Sequence, residues 1–212
     1  MSTTTIVFDL DDTLVKEIDF LKSAFFEIAN SIEAEVSSLY HQMLVWYFDN
    51  ENVFQKLVQL YPDLSMDLLK SKYRHHQPNF EKYSYVKDFL SELKQNRYRI
   101  GLITDGFSIT QRNKISSLGI GGLFDLIVIS EEFGSEKPNE ENYKVFHQFN
   151  SDTYYYVGDN LKKDFVTPNK LGWITICLLD DGNNIHSQNF DTEEFYLPKY
   201  KIKDLSELLH YI

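Results

Sequence analysis

The chain of 212 residues carries a single cysteine, Cys177, so no intramolecular disulfide can staple it and its fold must rest on a packed core. Cys177 lies in the apolar stretch TICLL, the setting of a buried structural thiol rather than a nucleophile. Positive charge is also scarce. Lys and Arg number 21 against 32 Asp and Glu, a net charge of −11, which argues against nucleic acid or an anionic membrane as partner and leaves any anionic ligand to locally placed cations. No apolar run approaches the ~18 residues of a membrane span. The opening MSTTT is neither basic nor followed by a long apolar core. A soluble, cytoplasmic protein is expected, as monomer or homodimer. Internal repeats, low-complexity segments and flexible linkers are missing as well, whereas 42% hydrophobic and 15% aromatic residues suffice for a sizeable core of one or two domains.

What the chain does contain is a hydrophobic pattern that changes period. Residues 3–10, TTTIVFDL, are a β-branched apolar run of strand length, as for a strand buried on both faces of a parallel sheet. Past Val15 the period becomes helical: Leu21, Ala24, Phe25, Ile28, Ala29 and Ile32 make one stripe. Further helices are predicted around 35–48, 51–61 and 65–76, the last with Ser65 as N-cap. Residues 16–78 thus read as a helical insert between 1–15 and 79–212, which together form the core. Beyond Pro78, helices near 84–96, 108–118, 139–149 and 163–171 alternate with the strand segments RIGLITDG, FDLIVIS, TYYYVGD and ITICLL; the turn-rich DDGNNIHSQN and a terminal helix from Asp204 follow. Such alternation implies βαβ crossovers and an α/β fold: a doubly wound, Rossmann-like parallel sheet with a helical insert after its first strand.

In such sheets ligands bind beyond the carboxyl ends of the strands, where each polar cluster of this chain falls. Asp9 and Asp11 follow the first strand, Thr104, Asp105 and Gly106 the second, Ser130 to Lys137 the third, and Gly158, Asp159 and Asp164 the fourth. Asp9, Asp159 and Asp164 make a strongly negative, oxygen-rich site whose like-charge repulsion a hard divalent cation relieves; Mg²⁺ suits it, being completed by water and substrate phosphate. The Thr104 hydroxyl, the N–H groups of the turn at Asp105 and Gly106, and the Lys137 ammonium favour phosphate oxygens. The set reads as phosphoryl transfer. Asp9 would be the nucleophile that accepts the phosphoryl group, and Asp11, two residues on along an extended strand and so on the same side, would protonate the leaving alkoxide and later activate water. Other candidates take plainer readings: Arg112 and Lys162 as solvated cations, His75 and His76 as surface residues without metal-ligand spacing, and the run LVWYF at 44–48 as helix-packing core.

The segments DLDDT, TDG, EKP and GDNLKKD, in this order and on these elements, resemble the four motifs of the haloacid dehalogenase (HAD) superfamily over essentially the whole chain. That resemblance implies a nucleophile at Asp9, an acid–base residue at Asp11 whose backbone carbonyl also binds Mg²⁺, catalytic and phosphate-binding roles for Thr104 and Lys137, and motif-four metal ligands at Asp159 and Asp164. It also implies that the insert is a type-one cap that closes over the site and selects substrate. LITDGFSITQRNKISSLGI and VISEEFGSEKPN are similar to the pyrimidine 5′-nucleotidase and N-acylneuraminate-9-phosphatase group. The expected activity is a Mg²⁺-dependent phosphomonoesterase acting on a small metabolite, a sugar or sugar-acid phosphate or a nucleoside 5′-monophosphate. The alternatives are a haloacid dehalogenase, against which Asp11, Lys137 and Asp159 count, a phosphomutase of the same fold, and a catalytically silent phosphate-binding protein.

Overall fold

Six parallel strands form one sheet in the order β3-β2-β1-β4-β5-β6 in the computed structural model, which describes residues 3–32 and 35–212. Met1 and Ser2 of the MSTTT segment, and Glu33 and Ala34 of the helical insert, lie outside the described residues. The strands are β1 (Thr4–Phe8), β2 (Arg99–Thr104), β3 (Leu126–Ile129), β4 (Thr153–Gly158), β5 (Ile174–Leu178) and β6 (Tyr200–Ile202). The chain builds outward from β1 through β2 to β3, then crosses to the other side of β1 for β4. Strand order therefore reverses between β1 and β4, which opens a crevice at their carboxyl ends. Phe8 is level with Leu102 and Val157, and the Asp9 N–H donates to the Val157 carbonyl at 2.9 Å. The register brings the residues after both strands to one edge.

The apolar run of β1 is explained by its burial on two sides. Ile6 and Phe8 join a cluster with α5 (Ser84–Gln95) and the carboxyl-terminal 3₁₀ turn Leu205–His210, while Val7 joins Tyr143, Phe146, Tyr156 and Trp173 on the other face. β2 approaches that second layer so closely that a Cβ on Gly101 would run into the Phe146 ring.

Among the described residues, four α-helices lie between β1 and α5: α1 (Glu17–Asn30), α2 (Val36–Phe48), α3 (Val53–Leu60) and α4 (Met66–His75). They pack around a cluster of their own, in which Leu21, Phe25, Ile28, Met43, Trp46, Leu57 and Leu69 meet. Ser65 caps α4 as expected, accepting from the Leu68 N–H, and Asn52 caps α3 by accepting from Gln55. The run LVWYF is wider than one helix face: Trp46 is buried, but Val45 and Phe48 are exposed. His76 is not a surface residue. The backbone leaves α4 at this position (φ −54°, ψ 135°) and carries the ring inward, where Nδ1 pairs with Glu27 and Nε2 lies 2.8 Å from Ser23 Oγ.

The remaining helices are α6 (Ser108–Leu118), α7 (Ser130–Phe133), α8 (Glu141–Lys144) and α9 (Val166–Lys170). The helix expected over 139–149 is α8 followed by a 3₁₀ stretch, Val145–Phe149. That expected from 163 starts only at Val166, because residues 159–164 fold back around the Asp164 carboxylate. The terminal helix is 3₁₀, with Asp204 accepting from the Ser206 N–H. β6 and α7 were not anticipated; three and four residues are too short to display a period.

Candidate active site

Asp9 leaves β1 at the crevice and is 5% exposed. Its Oδ1 lies 2.8 Å from the Lys137 ammonium, which also reaches Asp164 Oδ1 at 2.7 Å. Asp164 is held on every side. Oδ1 further accepts from the Tyr156 hydroxyl at 3.1 Å, and Oδ2 accepts from the N–H groups of Asp159 and Asn160 at 3.1 and 2.8 Å. It therefore closes the loop after β4 rather than capping α9. Gly158 is required there, since a Cβ at that position would stand 2.5 Å from Asp164 Oδ2.

Asp9, Asp159 and Asp164 each offer an oxygen within 4.8 Å of the other two, all buried. Burial raises Asp9 well above the ordinary carboxyl value; Lys137 pulls it back, while Asp164 and Asp11 add to the rise. Asp159 is pushed up to about 9 by burial, with Asp164 and Asp9 contributing. Burial disfavours the Lys137 ammonium, but the Asp164 and Asp9 carboxylates outweigh it and hold its pKa above the usual lysine value. Three buried carboxylates against one ammonium leave an excess of negative charge, which a cation would neutralise. The donor set fits a hard metal ion: Asp9, Asp159 and Asp164 could each offer it an oxygen, while the Asp164 hydrogen bonds also orient Lys137 and the loop.

Asp11 belongs to a different environment on the same cavity. The chain has left the strand by then: Asp11 bridges to Val15, and Asp12 takes a left-handed conformation at φ 56°. Strand alternation is thus not what aligns Asp9 and Asp11. Asp12 fixes the turn, its carboxylate accepting from the N–H groups of Glu17 and Ile185 at 3.0 and 2.9 Å. The Asp11 carboxylate meets Lys114 Nζ at 2.6 Å and Gln111 Nε2 at 2.8 Å. Both partners come from α6, which lacks a clear apolar stripe because its buried face includes Thr110, Gln111 and Lys114.

A cavity of about 170 Å³ is lined by Asp9, Asp11, Glu17, Thr104, Lys137, Asp159, Lys163 and His186 among others. A second, of about 350 Å³, shares Asp11, Glu17 and Asp105 with it and extends between α6 and the helices α3 and α4, past Phe54, Tyr73, Arg74 and Phe107. Of the expected residues, Asp9, Asp11, Thr104, Asp105, Lys137 and Asp159 line the smaller cavity. Asp105 uses its carboxylate structurally, accepting from the Lys137 N–H at 3.0 Å and from Lys163 Nζ at 2.9 Å. Gly106 faces the larger cavity, and its N–H donates to Ser130 Oγ at 2.9 Å. Arg112 pairs with Glu132 on the surface. Lys162 is exposed; its neighbour Lys163 faces the cavity instead.

Sequence reasoning missed Gln111, Lys114, Lys163, Glu17, Asn184 and His186. Asn184, in the turn-rich DDGNN stretch, donates to Asp159 Oδ2 at 3.0 Å and accepts from Lys16 Nζ at 2.6 Å. Burial pushes Glu17 up to about 7, with the Asp11 charge adding. One signal was available: Thr110, Gln111 and Lys114 occupy the helical spacing where α6 should have been apolar.

A family model described as haloacid dehalogenase-like hydrolase matches residues 6–177. Glyceraldehyde 3-phosphate phosphatase of Methanocaldococcus jannaschii is 29% identical over 228 residues, 96% of this chain and 94% of that protein. The pyrimidine 5′-nucleotidase YjjG of Escherichia coli is 34% identical over 114 residues, 52% of this chain and 48% of that protein. Among solved structures, Bacillus subtilis YfnB bound to magnesium superposes with a TM-score of 0.66 at 20% identity, covering 100% of this chain and 99% of the other. At that identity the likeness concerns the fold. No helix among the described residues is long and apolar enough to cross a membrane.

Proposed function

Because the chain belongs to the haloacid dehalogenase-like hydrolase family, we propose that this phosphatase is a Mg²⁺-dependent phosphomonoesterase working through a phosphoaspartate on Asp9. The observation that carries the reading is the buried Asp9–Lys137–Asp164 chain of contacts at 2.8 and 2.7 Å, facing the same cavity as Asp11.

Asp9 attacks phosphorus, and the bond from phosphorus to the substrate's ester oxygen breaks. Asp11, in its protonated form when substrate is bound, gives that proton to the departing oxygen. The Asp11 carboxylate then takes a proton from water as the water oxygen attacks the phosphoaspartate, and the bond between phosphorus and Asp9 breaks to release inorganic phosphate. Lys137 and the Thr104 hydroxyl bind phosphoryl oxygens, which gather charge during transfer. Mg²⁺, held by Asp9, Asp159, Asp164 and the Asp11 carbonyl, would supply neutralising charge to the same oxygens.

We assign α1–α4 as a cap, residues 16–78, over a core of 1–15 and 79–212. The larger cavity between α6 and this cap would take the leaving group. Its volume of about 350 Å³ supports a small metabolite and not a phosphoprotein or polynucleotide, which a chain at −11 would also repel. A triose phosphate names the activity of the M. jannaschii relative and a nucleotide that of the E. coli one; both fit a sugar phosphate or nucleoside 5′-monophosphate here. Phosphate release from a panel of both classes, with and without Mg²⁺, tests the reading. Turnover of at least one compound, lost in chelator and in a folded Asp9→Asn variant, is expected. Near-normal rates in either case overturn it.

A further inference from the structure

α6 buries a lysine where a helix packed against a sheet would ordinarily place an apolar side chain. Lys114 is 2% exposed, and a buried ammonium is costly unless paired. Its Nζ lies 2.6 Å from Asp11 Oδ1 and 4.6 Å over the Phe20 ring. Gln111, three residues earlier and so on the same helix face, is as deeply buried. Its Nε2 donates to Asp11 Oδ2 at 2.8 Å and to Thr104 Oγ1. Each Asp11 oxygen therefore has its own donor on a separate side chain, which fixes the plane of the carboxyl group. Because Gln111 donates to it, the Thr104 hydroxyl keeps its own hydrogen for another acceptor. Both α6 side chains line the larger cavity. The helix is anchored beside them: Thr110 Oγ1 donates to the Arg74 carbonyl at 3.2 Å, and Asn113 Nδ2 to the His75 carbonyl at 3.0 Å.

We propose that Lys114 and Gln111 are positioning residues that hold Asp11 at the junction of the two cavities, where the leaving oxygen and then the attacking water meet it. The inference rests on the acid–base assignment of Asp11. An ion pair that merely offset the burial of Lys114 would not need a second donor on the other Asp11 oxygen.

The test is a double-mutant cycle on the full chain with Mg²⁺ present, comparing Lys114→Met, Gln111→Met and Asp11→Asn singly and in pairs. The probes are p-nitrophenyl phosphate and the sugar phosphate that the panel finds best turned over. Lys114→Met and Gln111→Met should each lower kcat for the sugar phosphate on the order of ten- to a hundredfold, with KM within about threefold of the parent. Phosphorylation by the aryl ester, whose leaving group needs no proton, should suffer less. In the Asp11→Asn background neither change should add more than about a twofold loss, because both act through that carboxylate. Losses that multiply in that background, or a rise in KM at unchanged kcat, overturn the proposal. A slow Asp11→Asn enzyme beside Lys114→Met and Gln111→Met variants at parental kcat overturns it while leaving the phosphatase reading intact. An Asp11→Asn enzyme at parental kcat removes the acid–base assignment itself. Gln111→Met, which keeps side-chain length and removes no charge, carries the test if Lys114→Met does not fold.

Discussion

Lys137 is the cation that reaches both Asp9 and Asp164, and among the described residues no other ammonium or guanidinium forms an ion pair with either. Replacing it with methionine leaves buried carboxylates unpaired, which typically costs about 3–5 kcal/mol; urea denaturation in chelator should register that loss. Asp9→Asn acts in the opposite sense. It removes one of three repelling carboxylates while Lys137 keeps Asp164, so its melting temperature in chelator should equal or exceed the parent's even though turnover is gone. A clear drop in melting temperature would mean that the attraction between Asp9 and Lys137 outweighs the repulsion. At this scale the sequence was most legible where a residue adjoins a strand end, as Asp9, Thr104 and Asp159 do. It was least legible deeper in the loops: Lys163 faces the cavity and Lys162 does not, a distinction set by how the loop after β4 wraps around Asp164.

Elements matter here through the faces they present. The loop after β4 closes tightly because Gly158 has no Cβ, and Gly158→Ala would force the Asp164 carboxylate away from the Asp159 and Asn160 N–H groups. Overpacking of this kind costs roughly 1–3 kcal/mol. Turnover should fall more than stability does, at least about tenfold, because Lys137 loses its second anchor; equal activity in a folded variant would show that Asp164 can relax without moving Lys137. On the opposite wall, Asn113 ties α6 to the end of α4 by bonds of 3.0 and 3.2 Å to the His75 and His76 carbonyls. Asn113→Ala removes both. At about 0.5–1.5 kcal/mol per bond, KM should rise severalfold at most, with kcat little changed, as measured by steady-state kinetics.

The whole molecule carries its acidity into its stability. Asp159 is pushed up to about 9 and Glu17 to about 7, chiefly by burial, against ~3.9 and ~4.3 for unfolded Asp and Glu. Over that interval the folded state binds more protons than the unfolded one, so stability falls as pH rises. The contribution is complete below the unfolded values, declines from about 4 upward, and is gone once pH passes about 7 for Glu17 and about 9 for Asp159. In chelator the melting temperature should therefore fall between pH 5 and pH 9. Mg²⁺ should restore it increasingly toward pH 9, where protons no longer compete for the carboxylates. Thermal denaturation across pH with chelator or Mg²⁺ checks this, and a Mg²⁺ shift independent of pH would count against a cation on Asp9 and Asp159.

Local pattern by itself determined the alternation of strand and helix, the parallel sheet, and the acids, threonine and lysine beside its strand ends. Those features depend on residues close in the chain: the period of side-chain burial marks a strand, and the residue that follows the strand lies at its end. Tertiary structure alone decided which side of each helix and loop faces the crevice. Asp11 and Lys114 are separated by 103 positions, and Asp159 and Asn184 by 25. No local period encodes such meetings, because they depend on how α6 and the 180–186 segment pack against a sheet assembled from distant parts of the chain.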